Sequence, residues 1–453
     1  MNLSAVLPPT YSTRRERRKR DIDGNAHSAP ACRQAHPTPT NKRPLGLYIH
    51  IPFCARKCPY CDFNTYSRLE PLYESYTQRL CRELMRWASL LDGRTVQTVF
   101  VGGGTPTVLS GGQLTRIFKL VRAEFPLAED AEISTEANPG TSDWDQFELL
   151  LELGVNRLSM GVQSFQPPEL AFLGRIHSAD DALRAYEAAL RAGFANINLD
   201  FMFGLPQQSL EAWSDTLDKA LELAPQHLSL YSLIVEPGTP LAHWVETGQT
   251  PPPDDDQAAA LYETAMARLG KAGYLHYEVS NWARGKEFAC RHNLIYWRNQ
   301  DWIGVGPGAH SHLRYPLSGR LRRQLTGGGF DEAIPEPNMS MQCGQAALRW
   351  SNHKSVKGYM KRVDSGETPV DFCEELQALV SMGETMMLGL RLVQEGVTFA
   401  SFEALHGQPM HAVFGPKLER LQDAGMLDSD QERVRLTARG LLLGNRVFSE
   451  FVV

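Results

Sequence analysis

The first forty or so residues show no hydrophobic period; from Leu45 onward, short apolar and β-branched runs alternate with longer amphipathic stretches. The runs fall at 45–51, 96–101, 131–137, 156–161, 196–202 and 227–233. Between them, apolar residues recur every three to four positions over 72–91, 113–125, 144–153, 179–192 and 210–223, the spacing of a helix with one buried stripe. Gly154 and Gly193 stand where helix C-caps belong. Six such strand–helix units predict an α/β fold on a parallel sheet. Six units suit an open, partial (β/α)6 barrel better than a complete eight-fold one, with a doubly wound sheet as the alternative.

The pattern loosens after Pro251, Pro252 and Pro253. A further helix is expected at 257–272, then an aromatic-rich segment at 274–302, a glycine-rich turn at 304–308 and a loop at 324–337. The last eighty residues read as small helices and a short strand pair, clearest at 418–425 and 434–439. A smaller α+β C-terminal region, winged-helix-like, is the expectation there.

Composition narrows the class. Of 453 residues 42% are apolar and 22% charged, ordinary values for a globular chain. No apolar run approaches the roughly 18 residues of a membrane span, which excludes an integral membrane segment. The net charge of −6 offers no bulk attraction to nucleic acid. Residues 1–44 differ: nine Lys or Arg against three acids make +6, which leaves −12 for the remainder. With Pro, Ser, Thr and Asn crowding 25–44, this stretch reads as a disordered basic tail. It lacks the apolar core of a secretory signal.

Eight cysteines are too few for a disulfide scaffold, and three of them fall within eight positions: Cys54, Cys58 and Cys61. Cys32, Cys81, Cys290, Cys343 and Cys373 are scattered. A tight thiol cluster in a cysteine-poor chain points to a metal site in a reducing compartment, hence a cytoplasmic protein. Three thiolates are one short of a closed site. A structural zinc completed by His50 or His310 is one reading; a [4Fe–4S] cluster with one iron open to a small ligand is the other. Position favours the second. Polar or glycine-rich features recur at the C-terminal ends of successive strands, where barrels build their sites: the Cys loop, Gly102-Gly103-Gly104-Thr105, Glu136 and Asn138, Gln163, Asp200 and Tyr231. A glycine triplet permits close backbone approach and leaves N–H donors unblocked.

The segments YIHIPFC (48–54), CPYCDF (58–63), VGGGTP (101–106), STEANP (134–139), LSMGVQSF (158–165) and NLDFMFGLP (198–206) resemble the radical S-adenosylmethionine (SAM) superfamily, and within it the coproporphyrinogen-dehydrogenase-like branch. The resemblance spans most of residues 45–311. It implies a [4Fe–4S] cluster on Cys54, Cys58 and Cys61 whose open iron chelates SAM, with Gly103, Gly104 and Thr105 at the methionine moiety and Glu136 at the ribose. It further implies that Tyr48, Tyr60, Gln163, Arg175 and Asp200 line the rest of that pocket. An electron donor such as flavodoxin or ferredoxin would serve the cluster.

Two members of the branch divide on particular residues. Where the dehydrogenase carries a further Cys two residues past the third ligand, this chain has Phe63. His292, Asn293, Tyr296 and Trp297 match the HNxxYW motif of the heme chaperone HemW family, which the chain resembles more closely. That likeness implies a chaperone that binds heme and delivers it to an acceptor protein, with oxidative decarboxylation of coproporphyrinogen III in porphyrin biosynthesis as the alternative. An imidazole can ligate heme iron and aromatic rings can pack on the porphyrin, so His292 is the expected axial ligand and Cys290 a second candidate. The expected division is a tail at 1–44, a radical SAM core at 45–280, a family-specific region with the HNxxYW segment at 281–375 and a C-terminal domain at 376–453.

Overall fold

The computed structural model describes residues 43–326 and 345–452. Nearly all of the basic tail, most of the loop expected at 324–337, and Cys32 and Cys343 lie outside them. Arg43, assigned above to the tail, belongs to the fold. Its guanidinium donates to the Tyr315 and Arg314 carbonyls at 3.2 and 2.9 Å and lies 3.7 Å from the buried Asp301 carboxylate, which also pairs with Arg94 at 2.8 Å.

Along the chain run β1 (Leu45–Ile51), α1 (Tyr73–Leu90), β2 (Val96–Gly103), α2 (Gly111–Glu124), β3 (Leu127–Ala137), α3 (Trp144–Glu152), β4 (Arg157–Gln163), α4 (Pro167–Phe172), α5 (Ala179–Ala192), β5 (Ile197–Phe203), α6 (Leu210–Leu223) and β6 (His227–Ser232). The six strands pair in parallel and in sequence order. Local chemistry sets the helix ends. Ser110 with Gln113 and Ser178 with Asp181 form capping boxes that satisfy first-turn donors, and Gly193 closes α5 at φ +113°.

The period of two along each strand sorts the two faces. Leu47, Ile49, Val99, Ile133, Leu158, Leu199 and Leu228 are buried in the core beneath the helices. The alternate positions are polar: Thr98, Glu132, Arg157, Ser159, Asn198 and His227 are all buried on the inner face. The twist of the parallel strands curls this wall into the partial barrel.

Next come α7 (Pro240–Glu246), α8 (Asp255–Lys271), β7 (Leu275–Glu278), β8 (Asn281–Ala283), α9 (Arg291–Trp297), β9 (Asp301–Val305), β10 (His310–Arg314), α10 (Gly319–Thr326), β11 (Gln345–Asn352), α11 (Val356–Asp364) and β12 (Val370–Gln377). The strands extend the same sheet at both ends, giving twelve in the order β12-β11-β10-β9-β1-β2-β3-β4-β5-β6-β8-β7. β9 is parallel to β1, while β10, β11, β12, β7 and β8 add antiparallel pairs. Position 280 lies inside the β7–β8 hairpin, and β8 to β12 belong to the barrel's own sheet. Gln324, expected in a loop, lies in α10.

The C-terminal region comprises α12 (Ala378–Gly389), β13 (Val397–Thr398), α13 (Phe399–His406), α14 (Met410–Asp423), β14 (Leu427–Ser429), β15 (Arg433–Leu436), α15 (Ala438–Leu442) and α16 (Gly444–Ser449). Two helices followed by a β14–β15 hairpin that pairs back onto β13 is a winged-helix arrangement. Its approach segment pairs with the edge strand β7 through Val279 N–H to Arg391 O at 3.0 Å and Val393 N–H to Tyr277 O at 3.1 Å, covering an edge otherwise open to other chains. No helix among the described residues is long and apolar enough to cross a membrane.

One buried carboxylate knits the β9 side of the sheet. Glu83 of α1 accepts from Trp87 Nε1 (3.2 Å), Asn352 Nδ2 (2.7 Å), Gly306 N (2.9 Å) and Tyr359 Oη (2.6 Å). Burial pushes its carboxyl upward and these four donors pull it back. Glu83→Ala would strand the donors without water to replace the carboxylate. We expect a loss of about 3 kcal/mol in unfolding free energy, read from urea denaturation.

Candidate functional site

The Cys loop leaves β1 at Ile51 and is stitched at both ends. Cys54 N–H donates to Tyr66 O (3.0 Å) and Tyr66 N–H to Pro52 O (2.7 Å), while Cys61 N–H turns back on Cys58 O (3.2 Å). The glycine-rich turn after β2 lies directly against it: Gly104 N–H meets Ile51 O at 2.8 Å and Thr105 N–H meets Phe53 O at 2.7 Å. A Cβ on Gly104 would stand 2.4 Å from Phe53 O. Gly103 has φ +112°, and its N–H donates to the Glu136 carboxylate at 2.8 Å.

Each of the three half-buried thiols has a donor beside it. Thr105 Oγ1 points to Cys54 Sγ (3.8 Å), Arg175 Nη1 to Cys58 Sγ (3.5 Å), and Thr65 Oγ1 lies 3.8 Å from Cys61 Sγ. Burial pushes the Cys54 thiol up to about 11 and raises that of Cys61. Asn138 braces two of the donors, giving Nδ2–H to Thr105 Oγ1 at 2.6 Å and accepting from Arg175 through Oδ1. Arg175 also donates to Gly161 O at 2.8 Å. The strand-end pattern marks Asn138 but gives it no role; its bridging becomes visible only once β3 and the segment after α4 meet.

Across the same rim, Tyr48, Tyr60, Glu136, Gln163 and Asp200 are half-buried. Burial raises the Glu136 and Asp200 carboxyls, and Asp200 accepts from Asn198 Nδ2 (2.8 Å) and Ser159 Oγ (3.0 Å). Gln163 ends β4 at φ +70°, where the β4–β5 register slips. A non-glycine residue held in that region at a strand end is strain of the kind functional rims retain. Among the described residues no three His, Cys, Asp or Glu side chains converge closely enough to hold one metal ion. The other described thiols lie on α1 (Cys81), at the foot of α9 (Cys290) and on β12 (Cys373).

The HNxxYW segment is not at the rim. It forms α9, which fills the inner face of the barrel near the strands' N-terminal ends. His292 is 1% exposed, with Nδ1 2.7 Å from Thr98 Oγ1 and Nε2 2.8 Å from Tyr296 Oη, and its ring stacks on Phe100. Both ring nitrogens meet hydroxyl groups, so in this arrangement His292 presents no unengaged nitrogen. Burial lowers its imidazole to about 3. Trp297 is 1% exposed beneath the Arg391 guanidinium at 4.7 Å, so its ring offers no face to a macrocycle. Asn293 is half-buried, and Cys290 is fully buried with its thiol 3.7 Å from Glu132. Of the motif, Tyr296 reaches the wall of a cavity that it shares with Tyr48, His50 and His310. His50 uses both nitrogens, Nδ1 to Tyr48 Oη (2.9 Å) and Nε2 to Asn64 O (3.0 Å), so it completes no zinc site here.

A partial barrel bearing three thiols on its first rim loop, against a glycine-rich turn, defines a radical SAM protein. The Radical SAM superfamily profile matches residues 48–220, and the HemN C-terminal domain profile matches 376–443. The chain is 37% identical over 413 residues to heme chaperone HemW of Mycobacterium tuberculosis H37Rv, across 90% of this chain and 95% of that protein. It is 47% identical over 283 residues to heme chaperone HemW of Escherichia coli K12, across 62% and 73% of the two. Among solved structures it is similar to coproporphyrinogen III oxidase (HemN) of Escherichia coli, with TM-score 0.73, 26% identity and coverage of 91% and 90%. The chain belongs to the heme chaperone HemW family.

The floor position of His292 has a measurable consequence. His292→Ala removes the partner of Thr98 and Tyr296 and leaves a cavity, so unfolding free energy at neutral pH should fall by about 2 kcal/mol. Acid sharpens the test. Between the usual imidazole value of about 6.5 and the folded value of about 3, the unfolded chain binds a proton that the folded chain refuses, so wild-type stability falls as pH falls. In the variant that acid limb should be shallower by about one proton, read from urea midpoints between these two pH values.

Proposed function

We propose that this chain is a heme carrier that holds a [4Fe–4S] cluster on Cys54, Cys58 and Cys61, binds SAM beside it and passes heme to an acceptor protein. The observation that carries the cluster is the donor set: three thiols on one rim loop, each approached by a protein hydrogen-bond donor of the kind that tunes cluster sulfurs. Family membership supports the heme-carrying role. When bound, the cluster and SAM supply one-electron radical chemistry, and flavodoxin or ferredoxin is the class of donor suited to feed it.

The chain's own residues position and enclose. Thr105, Asn138 and Arg175 form one braced line from the glycine turn to the Cys58 sulfur. Gly103 and Gly104 hold the turn against Glu136 and the Cys loop, which accept their N–H groups. The Glu136 carboxylate stands to accept from ribose hydroxyls, while Tyr48, Tyr60, Gln163 and Asp200 wall the cleft that screens the site from water.

A second reading, decarboxylation of coproporphyrinogen III, draws on the structural likeness to HemN; Phe63, in place of the further cysteine, counts against it. Anaerobic incubation of the reconstituted protein with coproporphyrinogen III and SAM separates the two. Protoporphyrinogen formed over several turnovers would establish the enzyme; heme retained and transferred without it supports the carrier. For the cluster, replacing Cys54, Cys58 or Cys61 by Ala should abolish bound iron and acid-labile sulfide, whereas Cys81→Ala and Cys373→Ala should retain both. Stoichiometric zinc without sulfide in the wild type would overturn the cluster.

A further inference from the structure

A cavity of about 380 Å³ lies beside the Cys loop, between β1 and the β9–β10 turn. Its walls include Tyr48, His50, Tyr66, Tyr296, His310 and Lys354. They are fixed by long-range contacts: Asn64 Nδ2 donates to Pro307 O (2.9 Å) and Lys354 O (3.0 Å), and Tyr66 Oη donates to Asn64 Oδ1 (3.0 Å). Gly308 lies against Asn64 so closely that a Cβ would stand 2.7 Å from its Nδ2. The tail of the Cys loop is thus one wall of the cavity, and the turn held by Glu83 is another.

Two imidazoles line this space, and they differ. His50 spends both nitrogens on Tyr48 and Asn64. His310, half-buried at the start of β10, has no hydrogen bond to either ring nitrogen among the described residues. Burial lowers its imidazole to about 4, which leaves it neutral at pH 7, the form that ligates metals. Around it stand three tyrosine rings, which pack on flat aromatic ligands. Lys354, Lys57, Asp62 and Glu236 line the same cavity; Lys57 donates to the Phe63 and Thr65 carbonyls at 3.2 Å each, so Lys354 is the ammonium that can meet a carboxylate.

A neutral imidazole with a free nitrogen, aromatic walls and one ammonium group match an iron-bearing planar macrocycle with carboxylate side chains. We infer that this cavity seats the heme and that His310, not His292, supplies its axial nitrogen, with Lys354 pairing a propionate. The inference rests on the heme-carrier reading above. It deepens that reading by placing the heme on the far side of the Cys loop's own tail.

The test is hemin titration of the reconstituted full chain, followed by the Soret band and by EPR of the ferric heme. His310→Ala should weaken binding by about tenfold or more and lose the imidazole-ligated spectrum, and added imidazole should restore it. His310→Gln, which keeps the side chain's bulk and polarity, should show the same spectral loss with iron and sulfide content unchanged. Lys354→Ala should weaken affinity while leaving the ligation spectrum as in the wild type. An unchanged Soret band and affinity in both His310 variants would overturn the assignment and leave the carrier reading standing. A wild type that takes up no hemin would overturn the carrier reading itself.

Discussion

A curled sheet with a polar inner face has to be filled, and here the contact that fills it is the Glu132 carboxylate against the first turn of α9. Glu132 accepts from Arg291 N–H at 2.9 Å and His292 N–H at 3.0 Å. Those amides have no acceptor within the helix, and a buried carboxylate without donors would cost several kcal/mol. Each satisfies the other, and the positive end of the helix adds to the fit. From that anchor the floor is continuous with the rim. Cys290 N–H donates to Tyr277 Oη, which lies 2.8 Å from His227 Nε2; His227 Nδ1 meets Asn198, and Asn198 donates to Asp200. On the other side His292 meets Tyr296, which reaches the cavity wall beside Tyr48. Rim geometry is inherited from how the barrel is plugged.

The elements visible in the sequence were those whose period is strong and whose partners are next in the chain. The runs at 45–51, 179–192 and 210–223 became β1, α5 and α6 with their ends unchanged, because caps such as Ser178 and Gly193 mark the boundaries chemically. β7 to β12 were not visible as strands. They are short or pair across a long separation, as β11 does with β10, and the aromatic residues in this stretch fit a helix, a strand or a packed loop equally well. Past the prolines at 251–253 the hydrophobic period loosens, yet the chain returns to add strands at both edges of the sheet.

The thiols and the rim carboxylates were legible for a different reason: position after a parallel strand determines which end of a barrel a residue occupies. Side-chain direction was not. His292 sits among aromatics, as a heme ligand would, but whether its nitrogens face a ligand or Thr98 and Tyr296 depends on which face of α9 meets β2. A motif names the residues that share a helix; it does not say what the helix is pressed against. Arg175 shows the converse, since no strand-end position predicts it and Gly174, at φ +66°, turns the chain so that its guanidinium reaches Cys58.

The glycine turn bears on how tightly the rim is coupled. Gly104 is demanded by the protein's own backbone, since the Phe53 carbonyl occupies the space of a Cβ and the Ile51 carbonyl takes its N–H. The Cys loop is therefore positioned by β2 on one side and, through Asn64 and Tyr66, by the β9–β10 turn and Lys354 on the other. On the proposal above, ligation at the thiols and binding in the cavity order opposite faces of the same short segment, residues 58–66. Whatever free energy one event spends on holding that segment, the other does not have to spend again. By linkage the benefit is equal in both directions. On that proposal, cavity and thiols are linked through one shared segment, without any moving domain.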